Sequence, residues 1–366
     1  MTVSTAPDLA ETLVGIAPDS ALAALRATRE DIRGHIQGAC RALVTPAEPG
    51  GVSLVERASL ALRVALSDGD MRLAGHFRSL LTPAQAGAAT ASPEGSGRFA
   101  LLMRFGDTVA AHPARIGQAD IDALSAHGFS PQDIVAATQL AAFVPFQVRL
   151  LAGLRAMQGG PPTAASTVSI AAAPARFTMA EVGWAPRIPP VDPDTATPAQ
   201  LAALDACPPA VRRSIYFLTL AQDPESLAER GALFNSVMYA PRGLPRAERE
   251  LATAIVSMVN GCVYCCSVHA RRFAELTREP VTMQRVLDEG FGAPLNARCR
   301  AITDFAAKLT ATPGAIEAAD LAPLRAAGLV ELEMLDLVHA IAMFANANRL
   351  MQALGESMPP VGPPVD

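Results

Sequence analysis

Residues 105–154, FGDTVAAHPARIGQADIDALSAHGFSPQDIVAATQLAAFVPFQVRLLAGL, return without a gap at 305–354, with 13 of 50 positions identical. The identities include Phe105/Phe305, Pro113/Pro313, Asp120/Asp320, Gly128/Gly328, Arg149/Arg349 and Leu150/Leu350. Proline and glycine kept at a constant offset are turn signals, so each copy reads as three helical segments joined near 113 and 128. Internal duplication is the simplest account. Apolar residues such as Leu321, Leu324, Leu329, Leu332, Leu335 and Val338 recur with helical spacing, and alternating strand patterns are hard to find. The expected architecture is all-α, a duplicated helical bundle.

Outward from the repeat, the chain divides at a stretch of changed composition. Residues 159–200 hold eight prolines and no sustained period, which reads as a Pro/Ala-rich linker and extended arm. The expected division is a first helical domain at 1–158, the linker at 159–200, a second helical domain at 201–358 and a Pro-rich tail at 359–366. The total of 366 residues agrees with two domains.

Composition narrows the class. Half the residues are hydrophobic and 18% are charged, with 30 Lys+Arg against 35 Asp+Glu and a net charge of −5. That excludes disorder and collagen, and leaves no positive field for nucleic acid. Lys308 is the single lysine. Apolar runs such as 140–146 are short and interrupted by Pro145, so no membrane partner is expected. Asp8 and Glu11 precede any apolar stretch near the N-terminus, unlike a secretory signal. A cytoplasmic, reducing setting follows as the expectation. There, six cysteines point to redox, catalytic or metal roles where they cluster, rather than to structural disulfides.

Upstream of each copy the similarity continues weakly, with Glu56-Arg57 against Glu248-Arg249. The halves then diverge. The second reads NGCVYCCSVH at 260–269 where the first reads DGDMRLAGHF at 68–77. Asn260-Gly261 ends one helix and opens another, placing Cys262 in its first turn. On that helix Cys262, Cys265 and His269 fall within roughly 60° of one another. A cysteine at a helix N-terminus is biased toward thiolate, and two thiols at this spacing can close into a disulfide. Glu250, on the preceding helix, reaches the same face if the two helices pack antiparallel, where it orients His269 or relays its proton.

The run Glu-Arg-Glu, an apolar helix with Ser257, then Asn-Gly-Cys-x-Tyr-Cys-x-x-x-His resembles the signature of the alkylhydroperoxidase D family. That family lies within the carboxymuconolactone decarboxylase-like superfamily. The arm FTMAEVGWAPRIPPVDP at 177–193 resembles its peroxidase-related branch, and the likeness covers roughly 176–356. The resemblance implies an oligomerising helical bundle with the redox pair at a buried helix N-terminus. It implies that Cys265 is the peroxidatic thiolate, Cys262 the resolving thiol, and His269 with Glu250 the proton relay. Better-studied members carry a histidine between the cysteines; here Tyr264 stands there, with a hydroxyl able to donate. No metal, flavin or other cofactor is implied, and electrons come from a dithiol reductant of thioredoxin or lipoyl type. The first half, with Ala58, Asp70 and Leu73 at the positions of Glu250 and the two cysteines, is expected to be silent as a peroxidase and to mimic a second subunit.

Other readings compete. Glu250 and His269 alone suit a non-redox decarboxylase or hydrolase, and a redox-responsive helical scaffold needs no turnover. Zinc on Cys262, Cys265 or Cys266 and His269 lacks a second cysteine pair, and a thioredoxin-like motif would follow a strand. Cys266 reads as a packing residue, and Cys40, Cys207 and Cys299 as isolated thiols. His339 reads as a satisfied interhelical histidine, Arg349 as part of a structural ion pair, and Arg271 and Arg272 as solvated. Trp184 is expected to strap the arm down, and His35, His76, His112 and His127 carry no claim.

Overall fold

The repeated stretch folds twice in the same order. Its first copy gives the helix Arg98–Ala111, a 3-10 turn Pro113–Arg115, the helix Gln118–Ala126 and the long helix Pro131–Met157. Its second copy gives Ala297–Ala311, Pro313–Ala315, Ala318–Leu321 running into Ala322–Ala326, and Glu331–Ala353. The computed structural model describes residues 8–164, 177–209 and 212–360. Among these are eighteen α-helices and one two-stranded sheet, so the all-α expectation holds.

Pro131–Met157 and Glu331–Ala353 lie against each other at the centre. Both carry apolar residues on every face, with a few polar ones among them, and their near-complete burial is what such a sequence requires. Pro145 sits inside the first without ending it. This helix is long and apolar enough to cross a membrane, and its whole apolar window is buried inside the molecule.

The duplication is visible as exchanged contacts. Arg149 donates to the Thr310 carbonyl at 3.0 Å, and Arg349, 200 positions on, donates to the Ala110 carbonyl at 2.7 Å. Each acceptor is in the last turn of a helix, where carbonyls lack intrahelical partners and attract cations. The first central helix packs on the turn Pro313–Ala315, and the second on Pro113–Arg115. When i meets j and the equivalent of j meets the equivalent of i, the two halves are related as in a two-fold dimer. Arg349 therefore differs from the ion-pair expectation: it meets carbonyl oxygens of Ala110 and Ala345, whereas Arg149 also pairs with Asp68.

A second lock joins the halves. Arg29 grips Asp336 with two bonds of 2.8 Å, and Arg249 adds a third at 2.9 Å. The helix Glu30–Val44 packs on Pro224–Met238, with His35 on Glu229 at 2.9 Å.

The arm departs from a plain linker. Val182–Pro186 forms β1 and pairs antiparallel with β2, Gly355–Pro360. Trp184 donates its indole N–H to the Met351 carbonyl at 2.8 Å and sets its ring edgewise on Tyr216, which is the strapping expected of it. Gly355 is required there, since a Cβ would come within 2.3 Å of the Trp184 ring. The helix Pro198–Asp205 crosses the expected boundary at 200, because Thr197 and Gln200 form its capping box. The portion of the expected linker at 165–176, and 361–366 of the expected tail, lie outside the described residues.

Candidate active site

Glu248 anchors the helix Arg246–Val259 through Arg298 at 2.7 and 2.8 Å, as Glu56 meets Arg98 in the first half. The helix ends at Asn260, and Gly261 turns the chain with φ +70°. Gly69 makes the same turn at φ +79°. The next helix, Val263–Thr277, has Cys262 as its N-cap. Cys262 thus stands just before the first turn rather than within it, because Gly261 takes one residue more to reverse the chain. Cys265 is the third helical residue, and both thiols are buried, at 0% and 4% exposure.

Antiparallel packing brings the two helices together as the sequence suggested. Glu250 is fully buried; one carboxylate oxygen accepts from Arg246 Nε at 2.5 Å and the other meets His269 Nδ1 at 2.5 Å. Arg246 is held over the Tyr239 ring, 4.0 Å from its centroid. Burial pushes the Glu250 carboxyl up, but the charge and hydrogen bonds of His269 and Arg246 outweigh it and hold the acid below its ordinary range. An ionised carboxylate only accepts, so Nδ1 of His269 carries a proton and Nε2 is left to act as base when the ring is neutral. The imidazole stands edge-on to Phe344, 4.4 Å between centroids.

The thiols are asymmetric. Hydrogen bonding with Cys262 lowers Cys265 against the opposing effect of burial, helped by the Asn348 amide and the charge of Arg230. Burial, reinforced by Cys265, drives Cys262 well above the ordinary thiol value. Cys262 is therefore the donor and Cys265 the thiolate-prone sulfur. Asn348 is fixed by its neighbours: it donates to Ser257 Oγ at 3.0 Å and accepts from Asn260 Nδ2 at 2.9 Å. His269 makes no hydrogen bond to either thiol; it follows Cys265 by one turn on the same face.

Tyr264 is partly buried beside the cysteines, its backbone N–H donating to Ser357 Oγ of β2 at 3.2 Å, while its hydroxyl has no partner among the described residues. Cys266 is buried and held neutral by desolvation, as a packing residue would be. Cys40 bonds Gln147 at 3.8 Å, far from the pair in sequence and fold, and burial pushes it up to about 11. Cys207 is likewise raised to about 11, and Cys299 is half-buried on another helix. Arg272 is exposed and meets Glu275. His339 corrects the expectation of a satisfied histidine: it is buried, with Nδ1 unpartnered.

Sequence reasoning did not find Asn348, Arg230 or Tyr216. Asn348 carried one signal, its place with Asn346, Arg349 and Gln352 in a polar cluster on a helix whose preceding stretch is apolar. Arg230 donates to the Tyr216 hydroxyl at 3.0 Å and to Asn346 Oδ1 at 3.3 Å.

The corresponding positions in the first half carry other groups. Asp70 caps its helix by accepting from Leu73 N–H at 3.0 Å and pairs with Arg155 at 2.9 Å. Leu73 and Phe77, at the positions of Cys265 and His269, are fully buried, and Ala58 replaces the carboxylate.

Residues 224–287, from the helix carrying Arg230 through the thiol helix, match the carboxymuconolactone decarboxylase family. An uncharacterized peroxidase-related protein from Silicibacter sp. TM1040 is 32% identical over 37% of this chain and 70% of that one, with a TM-score of 0.35. An uncharacterized peroxidase-related protein from Ralstonia eutropha JMP134, described as an alkylhydroperoxidase AhpD core, is 28% identical over 40% of this chain and 83% of that one, with a TM-score of 0.36. No curated protein matches. By that match the segment that carries both thiol helices is a carboxymuconolactone decarboxylase family domain, and the chain is similar to proteins named as peroxidase-related.

Proposed function

We propose that this chain is a thiol-dependent peroxidase for organic hydroperoxides. The observation that supports the reading is geometric: two buried thiols, Cys262 and Cys265, at the N-terminus of one helix, one turn from an imidazole locked on a buried carboxylate. The Cys265 thiolate attacks the terminal peroxide oxygen; the O–O bond breaks and the alkoxide leaves. The proton that Cys265 gave up passes to Nε2 of His269, whose Nδ1–H stays on Glu250, and Nε2 returns it to the alkoxide, giving the alcohol and a Cys265 sulfenic acid. Cys262 then attacks that sulfur, a disulfide forms and water departs with the Cys262 proton. A dithiol of thioredoxin or lipoyl type donates two electrons and two protons to restore both thiols. Tyr264, between the two cysteines in sequence, offers its hydroxyl as a hydrogen-bond donor to the substrate.

The test is single-turnover peroxide consumption with mass spectrometry. Cys265→Ser is expected to lose at least 100-fold in rate. Cys262→Ser is expected to stop after one equivalent, with a sulfenic acid at 265 trapped by dimedone. Absence of a 262–265 disulfide in the wild type, or full activity in Cys265→Ser, overturns the reading.

One observation favours a second reading. The His269–Glu250 dyad is complete without the thiols, and it lies in the segment matching a family named for a decarboxylase. A non-redox acid–base reaction would survive conversion of both cysteines to serine; the peroxidase would not.

A further inference from the structure

Arg230 is 6% exposed, yet no carboxylate pairs with it among the described residues. Its Nη2 and Nε donate to Tyr216 and Asn346, and its Nη1 is buried with no partner. Other buried arginines are differently placed. Arg26 meets Asp8 and Glu11, Arg29 and Arg249 share Asp336, and Arg57 ends on three carbonyls. Among the described residues Arg230 alone combines an unpartnered buried N–H with the lack of a carboxylate. The small cavity that it lines with Asn346, Ser226 and Gln139 has about 10 Å³, at the lower limit for one water. A water would satisfy an N–H but would not balance the charge, and a buried charge without a counter-ion is costly.

The anion has to come from the surroundings. Arg230 and Phe234 lie one turn apart on Pro224–Met238. The Phe234 ring meets Phe344 at 6.2 Å, and Phe344 meets His269 at 4.4 Å, so this helix packs behind the ring that flanks the thiol site. The ionisable groups on which the Arg230 charge acts are Tyr216, Cys207 and Cys265. Burial keeps the first two neutral.

We propose that Arg230 is a positioning residue of the thiol site, its buried guanidinium serving as counter-ion to the Cys265 thiolate and held in place by Tyr216 and Asn346. The proposal rests on the assignment of Cys265 as the thiolate. The other titratable groups facing that sulfur are Cys262, Tyr264, Cys266 and His269 on its own helix, and Glu250 and Tyr216 on neighbouring ones. None of these is a fixed cation. Loss of the guanidinium therefore leaves the thiolate supported by hydrogen bonds and the helix N-terminus, with no fixed positive charge.

The experiment titrates the reduced full-length chain at 240 nm, with the matching Cys265→Ser protein subtracted so that only this thiolate is read. Arg230→Met is expected to move the Cys265 midpoint up by about one pH unit, a tenfold loss of thiolate below the midpoint, as for removal of a nearby opposite charge. Arg230→Lys is expected to restore most of the shift, which a merely structural role would not do. Tyr216→Phe keeps the charge but frees it, and about half the shift is expected. If Arg230→Met does not fold, Tyr216→Phe decides. A midpoint unmoved in whichever variant decides, or a lysine no better than methionine, overturns the proposal. No peroxide is involved, so this outcome is separate from failure of the peroxidase reading.

Discussion

His339 shows how one buried side chain sets a pH response. Burial comes first, then the charges of Arg26, Arg29 and Arg249; together they outweigh Asp336 and push the ring down to about 3. The unfolded chain binds a proton at His339 below about 6.5 while the folded one does not. Stability is therefore full above that value and falls with decreasing pH until about 3, by about 1.4 kcal/mol per unit. Glu250 and Asp336 act lower down. Both are held below their ordinary values of 4.5 and 3.8, so their contribution is present above those values and lost as pH falls through the folded ones. Urea denaturation between pH 6.5 and 5 reads the histidines, and because burial also lowers His76, the comparison with a His339 variant isolates this one. His339→Gln, which copies Gln139 of the first half, is expected to flatten the slope in that window; an unchanged slope would refute the assignment. Cys262, Cys265, His269 and Glu250 were legible because all four belong to one hairpin of helices and their spacing is periodic. Arg230 and Tyr216 were not, because a polar side chain declares its partner only once distant helices are placed.

At the scale of elements, the α-turn-α hairpin repeats in both halves with a left-handed glycine, Gly69 and Gly261, at each corner. Alanine in that conformation costs about 1–2 kcal/mol. Gly69→Ala and Gly261→Ala are expected to destabilise the chain by similar amounts, measured by chemical denaturation. Only Gly261→Ala should reduce Cys265 reactivity, since it alone shifts the thiol helix against Glu250. The helices themselves were readable from period and caps. The β1–β2 ribbon was not: β1 is five residues long, its partner lies about 170 positions away, and neither strand alternates apolar with polar residues. Its pairing comes from Trp184 docking on Tyr216 and Met351, a tertiary cause.

For the whole molecule, the 200-residue offset gave the duplication, while the contacts that fasten the halves could not be read from it. Arg29 and Asp336 are 307 positions apart, and the offset between the hairpins is 192 rather than 200. Asp336→Ala strips the counter-charge from two buried guanidiniums and is expected to cost about 3–5 kcal/mol. The loss should appear as one shifted transition rather than two separate ones, because the pair spans both halves. Two unfolding steps in the wild type would show that the lock does not couple them.

The exchanged Arg149 and Arg349 contacts have a kinetic corollary. In a dimer of separate chains, such an interface dissolves on dilution, and activity per chain falls with it. Here the two sides share one backbone, so their effective concentration is fixed by the tether and not by how much protein is present. If the first half stands in for a second subunit of the proposed peroxidase, turnover per chain stays constant as the protein is diluted, with one thiol pair in each two-fold unit instead of two. With Leu73 and Phe77 at the positions of Cys265 and His269, the proposed chemistry has one centre per two-fold unit and no second centre of the same kind with which to alternate.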